Sequence, residues 1–416
     1  MRFTSLIFAV LLAGVFMAQK TTPPTTHTTI PGSNWVNVRD YGALGSGGDD
    51  APGFVAAINA ASHGQPHGGG TVYCPSTGSG YNSYNFPHGI TLPNLGNAWV
   101  EIYLDCNITI GGPIVMNAVS GYYIHGHNAG QGSNFGTVGT SQIYAKDGVN
   151  PAFQIVTFGS RLENLTVSVA SGDGIVIRSA SWLGVGGSSG VVLKEVHAVT
   201  RNSNATGSPL HIIDGYYYDI DGGGYEVQPA GNNHSILMEG SAPACVGMGM
   251  IQMNRVYIGN RGITINSPCN YIQNIHITQP FYEMGQTALV NLKGTWPGII
   301  SGIKLEDCAI ADSSAAAMDN HAARVFGVKI DECPVTGGVL TTGNPIGMLT
   351  IWYPAEPAIP PSPGFGGTSA PKPPKIAQTR NYELHFGDRI INTIPVLNTD
   401  KFDVQSGFAQ HANPPK

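Results

Sequence analysis

The sequence is poor in charged residues, in basic stripes and in long hydrophobic runs. Lys, Arg, Asp and Glu make up 11% of its 416 residues, where about 25% is usual for a globular protein. The net charge of −6 argues against nucleic acid as a partner, because phosphates require a basic surface. The apolar run at residues 6–17 is too short for a membrane span, which needs about 20 residues. We therefore expect no membrane partner.

That same run has the form of an export signal. Arg2 precedes it, and Ala18 supplies a small residue at which a signal peptidase can cut. We expect residues 1–19 to be a signal peptide and the protein to be secreted into the extracellular space. The six cysteines, none of them in a C-x-x-C pair, are compatible with an oxidising compartment.

Glycine is what the chain has in abundance. Its 56 glycines are nearly double the usual share of about 7%, as expected for many short strands joined by tight turns. Changes in composition predict a Thr/Pro linker at 20–34, a turn-rich body at 35–353, a Pro-rich linker at 354–375 and a C-terminal tail at 376–416. The tail either docks on the body or frays, and we predict no separate domain there.

The body contains an internal repeat. Gly302–Ile310 (G-I-K-L-E-D-C-A-I) and Gly327–Val335 (G-V-K-I-D-E-C-P-V) lie 25 residues apart. They share the order apolar, two polar, apolar, any, apolar, in which the two polar residues bend the chain between inward-facing strands. Spacings of 20–30 residues between such units are typical of a solenoid. The same pattern begins at Leu162, Leu193, Met253 and Ile272.

These patterns predict an all-β fold, a right-handed, single-stranded parallel β-helix. No helical stretch of ten or more residues separates the repeat units, which argues against alternating β–α folds. The Asn-Gly and Asp-Gly turns of a two-sheet sandwich are scarce, although the sandwich stays open as an alternative. After Asp49-Asp50, the apolar positions through Ala61 predict an N-terminal capping helix over the open end of the solenoid.

Four stretches near the N-terminus resemble one known family. They are similar to the N-terminal signature of the pectate lyase superfamily, which includes proteins related to polygalacturonases and rhamnogalacturonases. The resemblance is specific over residues 35–75, and it implies a parallel β-helix that cleaves or binds an acidic or complex polysaccharide such as pectin. The stretches are Val36–Ala43, Gly45–Asp50, Ala56–Ala61 and Gly68–Tyr73.

The catalytic residues of that family do not carry over. The resemblance to polygalacturonase-type enzymes implies an Asn-Thr-Asp-x-Asp stretch, an Asp pair, a Gly-His-Gly and an Arg-x-Lys on successive rungs. Only Asp173 matches the first aspartate, and Val176 stands where the next acid belongs. The calcium-binding carboxylates and catalytic base of a pectate lyase are not identifiable either. We therefore expect no cofactor, with calcium left open for a lyase.

The densest cluster of acidic residues lies at 214–226. Asp219 and Asp221 are two positions apart, so that on a strand both side chains project from the same face. Two neighbouring carboxyl groups can supply the acid and the base of glycoside hydrolysis, and each raises the pKa of the other. We take Asp219, Asp221, Glu226 and Asp173 as candidate catalytic residues. The alternative is a polar Gly-rich loop or a calcium-stabilised turn.

Tyrosines of the same segment offer flat faces on which sugar rings can stack. These candidate substrate-binding residues are Tyr216, Tyr217, Tyr218 and Tyr225. Glu283 lies beside aromatic residues and is a secondary candidate acid. The sequence His125-Gly126-His127 lacks a third ligand at useful spacing, so we interpret it as a polar turn and predict no metal site.

Cys308 and Cys333 occupy the same place in consecutive repeats. One rung of about 4.8 Å lies within the Cα separations that a disulfide allows. The two residues either form a disulfide or stack as small apolar residues in the core. Cys74 with Cys106, and Cys245 with Cys269, are plausible neighbours of the same kind.

Taken together, the sequence predicts a secreted glycoside hydrolase that acts on pectin-like or other complex polysaccharide. A polysaccharide lyase and a non-catalytic, carbohydrate-binding or adhesive β-helix are the alternatives. An enzyme requires two carboxyl groups about 5–10 Å apart in a groove, whereas an adhesin does not. The sequence makes no prediction of oligomeric state.

Overall fold

The computed structural model describes the body of the chain and four strands of the tail. The predicted signal peptide and both predicted linkers lie outside the described residues, apart from Lys375, and so does Cys245. The described residues are 35–353 except 64–68, 78–83, 97, 119–120, 128–140, 158, 179–189, 203, 228–233, 242–246, 284, 312–315, 334–338 and 345, together with 375–376, 382–386, 389–392 and 402–403.

The body is a parallel β-helix, which confirms the predicted fold and rules out the sandwich. A typical rung contributes Leu210–Ile213 to sheet 1, Gly215–Asp221 to sheet 2 and Gly224–Glu226 to sheet 3. Each of these strands pairs in parallel with the corresponding strand of the next rung. Arg161–Val169 and Val192–Thr200 are long enough to run through both sheet 2 and sheet 3.

The strands fall into these three sheets along the whole body. Sheet 1 comprises Ile90–Thr91, Ile114–Ala118, Phe153–Thr157, Ile175–Arg178, Leu210–Ile213, Ile236–Glu239, Ile263–Ser267, Val290–Gly294, Met318–Asn320, Val339–Gly343 and Lys375–Ile376. Sheet 2 comprises Trp35–Asn37, Thr71–Cys74, Val100–Leu104, Tyr122–Gly126, the two long strands, Gly215–Asp221, Met248–Asn254, Tyr271–Thr278, Ile299–Glu306, Val325–Asp331, Leu349–Tyr353 and Tyr382–Phe386. Sheet 3 comprises Tyr84–Phe86, Asn107–Ile110, Gln142–Ala145, the second halves of the long strands, Gly224–Glu226, Tyr257–Gly259, Phe281–Glu283 and Ala309–Ile310.

Helices and antiparallel strands occur only near the two ends of the described chain. The helix Ala51–His63 confirms the predicted cap, and a 3-10 helix at Val38–Tyr41 precedes it. Phe54 packs edge-on against Tyr84 and Phe86 of the first rung, with ring centroids 5.5 and 4.9 Å apart. In the tail, Arg389–Asn392 and Phe402–Asp403 pair antiparallel with Tyr382–Phe386 and Lys375–Ile376 respectively. Among the described helices, none is both long and apolar enough to cross a membrane.

Columns of aligned apolar side chains fill the interior. Because strands alternate their side chains between two faces and the rungs are in register, one inward position repeats from rung to rung. In sheet 2 such a column contains buried Leu162, Leu193, Ile220, Met253, Ile277, Leu305 and Ile330. In sheet 3 another contains Val167, Ala198, Tyr225, Ile258, Tyr282 and Ile310.

The predicted repeat is in register at five of its six positions and wrong at Ile272. The rung partner of Met253 is Ile277, which lies five residues after Ile272. Ile272 belongs to a different position of the strand, where Asn274 has a left-handed backbone (φ 54°) and imitates the bend of the true repeat. The double step between Leu193 and Met253 contains a rung whose central residue is Ile220.

Sheet 2 also carries a column of residues with a left-handed backbone. At one position per rung a residue is skipped in the pairing and has a positive φ. The later rungs place Asn or Gly there, which tolerate this conformation, whereas the first two place Tyr and Met. The column comprises Tyr217, Met250, Asn274, Gly302 and Gly327.

Disulfides join neighbouring rungs near both ends of the β-helix. Cys308 and Cys333 are bonded, with Cα atoms 4.4 Å apart, as are Cys74 and Cys106, with Cα atoms 5.9 Å apart. Both pairings agree with the predicted neighbours, and they show that Cys308 and Cys333 do not merely stack. Cys269 is also disulfide-bonded, and its predicted partner lies outside the described residues.

Candidate active site

The structure distributes the predicted catalytic residues over three places. Glu226 lies on sheet 3 in a groove of about 500 Å³, which we call the glutamate groove. Asp219 lies on sheet 2 in a second groove of about 650 Å³, the Tyr217 groove. Asp173 precedes a strand of sheet 1 and contacts His211. Asp221 separates the two grooves.

The glutamate groove brings together two acids that are far apart in sequence. The strand pairing aligns Glu226 with Gly259, and Gly259 with Glu283. Two rungs of about 4.8 Å place the backbones of the glutamates about 10 Å apart. The intervening residue has no side chain, and a Cβ at Gly259 would lie 2.8 Å from Cγ of Glu226. The gap between the two acids therefore exists because residue 259 is glycine.

The surroundings of Glu226 favour its protonated form. Burial raises the pKa of Glu226, and the negative charge of Glu283 raises it further. No described residue forms a hydrogen bond or ion pair with the Glu226 carboxyl group. A half-buried carboxylic acid with a raised pKa and a free oxygen is suited to donate a proton.

Glu283 is held differently. The Tyr257 hydroxyl donates a hydrogen bond to Oε2 of Glu283 at 3.3 Å. Burial and the charges of Glu226 and Glu283 raise the pKa of Tyr257 to about 12, so that this donor keeps its proton. The Tyr257 ring stacks on Phe281, which is exposed at the edge of the groove, with centroids 5.8 Å apart.

The remaining lining gives the groove a negative character. Glu195 accepts a hydrogen bond from the Gly223 amide at 3.3 Å. Burial lowers the pKa of His197, so its imidazole is neutral at neutral pH despite the nearby Glu195. Arg255 is the basic residue of the lining, and its Nη2 is paired with Oδ1 of Asp221 at 2.9 Å.

Asp219 and Asp221 do project from the same face of their strand, as their spacing requires. Asp221, however, accepts hydrogen bonds at Oδ1 from both Asn254 and Arg255, at 3.0 and 2.9 Å. Asp219 lines the other groove with Gln252 and His276. The two carboxylates thus have different surroundings, and their catalytic role stays a prediction.

Asp173 takes part in a partly buried triad of side chains on sheet 1. Its Oδ2 contacts Nδ1 of His211 at 3.0 Å, and Nε2 of His211 contacts Oε1 of Glu239 at 3.1 Å. The Ser208 amide and the Asn266 side chain occupy the other oxygens of the two carboxylates. Since all four oxygens have partners, the arrangement is suited to joining rungs, and it leaves no free carboxylate oxygen for a substrate.

The tyrosine prediction needs correction at two positions. Tyr218 and Tyr225 are 1% and 0% exposed because both face the interior columns of the β-helix. They are core residues and present no ring face to a sugar. Tyr217 is 56% exposed and lines a groove, and Tyr216 is partly buried beside Gly247.

Glu195, His197 and Tyr257 were not among the sequence candidates. They lie 26–88 residues before Glu283 in the chain, and only the register of three rungs places them beside Glu226. The repeat held part of the information needed to find these three residues. Continuing the repeat through Ile220 aligns the strands that carry them. His125 contacts Glu101 and His127 contacts Tyr103, and no group of three or more His, Cys, Asp or Glu side chains suited to a metal occurs within the described ranges.

Comparison with known proteins gives similarity at the level of structure alone. No protein-family model and no curated protein matches the sequence, so that membership of the pectate lyase superfamily stays a prediction. PfbA, a surface adhesin of Streptococcus pneumoniae, is 9% identical with a TM-score of 0.32, over 84% of this chain and 92% of its own. The A-module of the Azotobacter vinelandii mannuronan C-5 epimerase AlgE6 is 14% identical with a TM-score of 0.25, over 76% and 94%. Scores this low carry no argument about function, and the parallel β-helix itself rests on the strand pairing.

Proposed function

We propose that the protein is a secreted glycoside hydrolase that cleaves a polysaccharide in the glutamate groove. One observation carries the proposal: Glu226 and Glu283 face one groove from alternate rungs, with Gly259 between them. The disulfides near both ends support secretion, because such bonds persist in oxidising compartments.

The separation of the acids supports an inverting mechanism. Two rungs of about 4.8 Å separate the strands that carry the acids, which leaves room for a water molecule between the carboxyl groups, as the roughly 6.5–9.5 Å of inverting enzymes requires. Glu226 donates its proton to the glycosidic oxygen as the bond from that oxygen to the anomeric carbon breaks. Glu283 accepts a proton from the water that attacks the anomeric carbon from the opposite face.

The charge of the groove supports a neutral substrate. Glu195, Glu226 and Glu283 face it, and Arg255, the arginine among the described residues of its lining, is already paired with Asp221. A polyuronate such as pectin brings a negative charge on each sugar and would be repelled. A lyase is disfavoured for the same reason, because β-elimination of a uronate requires its carboxylate to be neutralised.

The test compares Glu226→Gln and Glu283→Gln with the wild type on neutral polysaccharides and on polygalacturonate. Loss of the general acid or base should lower the release of reducing ends by about 10²–10⁴-fold. Glu332→Gln is the matched control, since it makes the same change at an exposed glutamate outside the groove. Proton NMR of the first product should show inversion at the anomeric carbon.

Wild-type rates in both glutamate variants would refute the assignment. Products that absorb in the ultraviolet would establish a lyase instead. If the wild type binds polysaccharide but releases no reducing ends, the non-catalytic alternative holds.

A further inference from the structure

The Tyr217 groove lies on the outer face of sheet 2, across the Asp221–Arg255 pair from the glutamate groove. Its floor is a column of polar side chains in register on four successive rungs. Its wall includes Tyr217 and Met250 from the column of left-handed residues, and the groove has a volume of about 650 Å³. The floor column comprises Asp219, Gln252, His276 and Lys304.

Tyr217 and Met250 are in an unfavourable conformation for large side chains. Their φ angles are 64° and 55°, in the left-handed region that favours glycine and asparagine. Nevertheless, 56% of Tyr217 and 45% of Met250 is exposed, so that core packing does not account for these residues. Strained residues without a structural role are concentrated at functional sites.

The charges of the floor exclude an anionic ligand. His276 and Lys304 both contact the Glu306 carboxylate, so neither side chain is free to pair with an anion. Asp219 and Gln252 have no hydrogen-bond partner among the described residues. The groove therefore offers a free carboxylate and a free amide, which suit hydroxyl groups and repel negative charge.

We propose that the Tyr217 groove is a second, non-catalytic binding site for a neutral glycan chain. The Tyr217 ring stacks on a sugar face, and Asp219 and Gln252 bind hydroxyl groups. Polar groups repeated at each rung of about 4.8 Å suit a linear polymer lying along the helix axis. The ligand is a neutral polysaccharide, as in the proposed function. The inference rests on the proposed function for this ligand class alone.

Affinity electrophoresis in gels containing soluble xyloglucan, galactomannan or arabinan tests the site. All variants are made in the Glu226→Gln background so that no glycan is cleaved. Tyr217→Gly and Met250→Gly remove the exposed side chains and also relieve the backbone, so their thermal stability should equal or exceed that of the parent. At least one glycan should retain the parent. Its affinity for the double variant Tyr217→Gly, Met250→Gly should be at least tenfold lower. Leu44→Gly, an exposed apolar residue elsewhere, is the control and should leave retention unchanged.

Unchanged retention of the double variant would overturn the inference, as would a parent that none of the neutral glycans retains. Cleavage is measured separately, with a short oligosaccharide and an intact Glu226. If the wild type fails to cleave but the double variant Tyr217→Gly, Met250→Gly no longer binds glycan, the proposed function fails and the second site stands. If the wild type cleaves and the double variant is retained as strongly as the parent, only the second site fails.

Discussion

At the residue scale, the groove depends on a glycine as much as on its acids. Glu226 and Glu283 belong to strands of the same sheet, and any side chain on the rung between them would enter the space where a substrate and a water molecule must fit. Burial, and the proximity that lets Glu283 raise the pKa of Glu226, distinguish the two acids. The same register thus creates both the gap and the raised pKa of Glu226.

Gly259→Ala should therefore impair cleavage with little effect on folding. The new Cβ would lie 2.8 Å from Cγ of Glu226 and 3.3 Å from the Tyr257 hydroxyl, which forces both to move. We expect kcat/KM to fall about 10–100-fold, as for a misplacement of catalytic groups by about 1 Å, at a stability cost of about 1 kcal/mol. Steady-state kinetics and thermal unfolding measure the two effects.

Gly48→Ala provides the matched control, because a Cβ there meets no atom within 4 Å. It should change neither kcat/KM nor stability. Full activity of the Gly259→Ala protein would show that the gap between the two glutamates is not used.

At the scale of elements, the triad of Asp173, His211 and Glu239 joins three rungs of sheet 1. Burial opposes the charged imidazolium, but hydrogen bonds and the charges of both carboxylates outweigh it and raise the pKa of His211 to about 9. The folded-state pKa thus exceeds the usual value of about 6.5. Its contribution to stability is complete below pH 6.5 and is lost as the pH rises through about 9.

Between pH 7 and 10 the wild type should lose part of its stability through this triad. A hydrogen bond to a charged group contributes about 1.5–3 kcal/mol. In His211→Gln this pH-dependent part should be absent, because glutamine does not titrate. Melting temperatures from circular dichroism, recorded across this range, measure the difference.

His321→Gln is the control, since His321 pairs with Asp319 at 2.8 Å but is largely exposed. Exposed pairs contribute little, so its pH profile should follow that of the wild type. If His211→Gln keeps the wild-type slope, the triad does not determine alkaline stability.

The sequence predicted elements better than it predicted sites. Apolar alternation and two-residue bends recur within each rung, so that the fold, the cap and the register at Leu305 and Ile330 follow from local pattern. Ile272 was wrong because Asn274, within its strand, has the same left-handed backbone as the bend residues of the true repeat. Tyr218 and Tyr225 were wrong because they adjoin Asp219 and Glu226, whose side chains face outward, and alternation along a strand turns the neighbouring tyrosine inward. The pairing of Glu226 with Glu283 depends on how long each turn is, which no local pattern encodes.

At the scale of the whole molecule, a solenoid is stable to the extent that each rung is covered by a neighbour. The end rungs have one neighbour less and need other support. The helix Ala51–His63 covers one end, and tail strands extend the other. Cys74–Cys106 and Cys308–Cys333 join rungs near those ends.

Removing Cys308 and Cys333 together should therefore loosen the C-terminal rungs alone. The bond closes a loop of 25 residues, for which chain entropy gives about 3 kcal/mol. Contacts in a solenoid extend only to neighbouring rungs, so the loss should stay local. Hydrogen exchange of the Cys308→Ala, Cys333→Ala double variant should accelerate in Val325–Asp331 and Leu349–Tyr353 and stay unchanged in Leu210–Ile213.

The double variant Cys74→Ala, Cys106→Ala should instead affect the N-terminal rungs, with faster exchange in Thr71–Cys74. Uniform acceleration along the chain in either variant would mean that the β-helix unfolds as one cooperative unit, and that its ends are not separately stabilised.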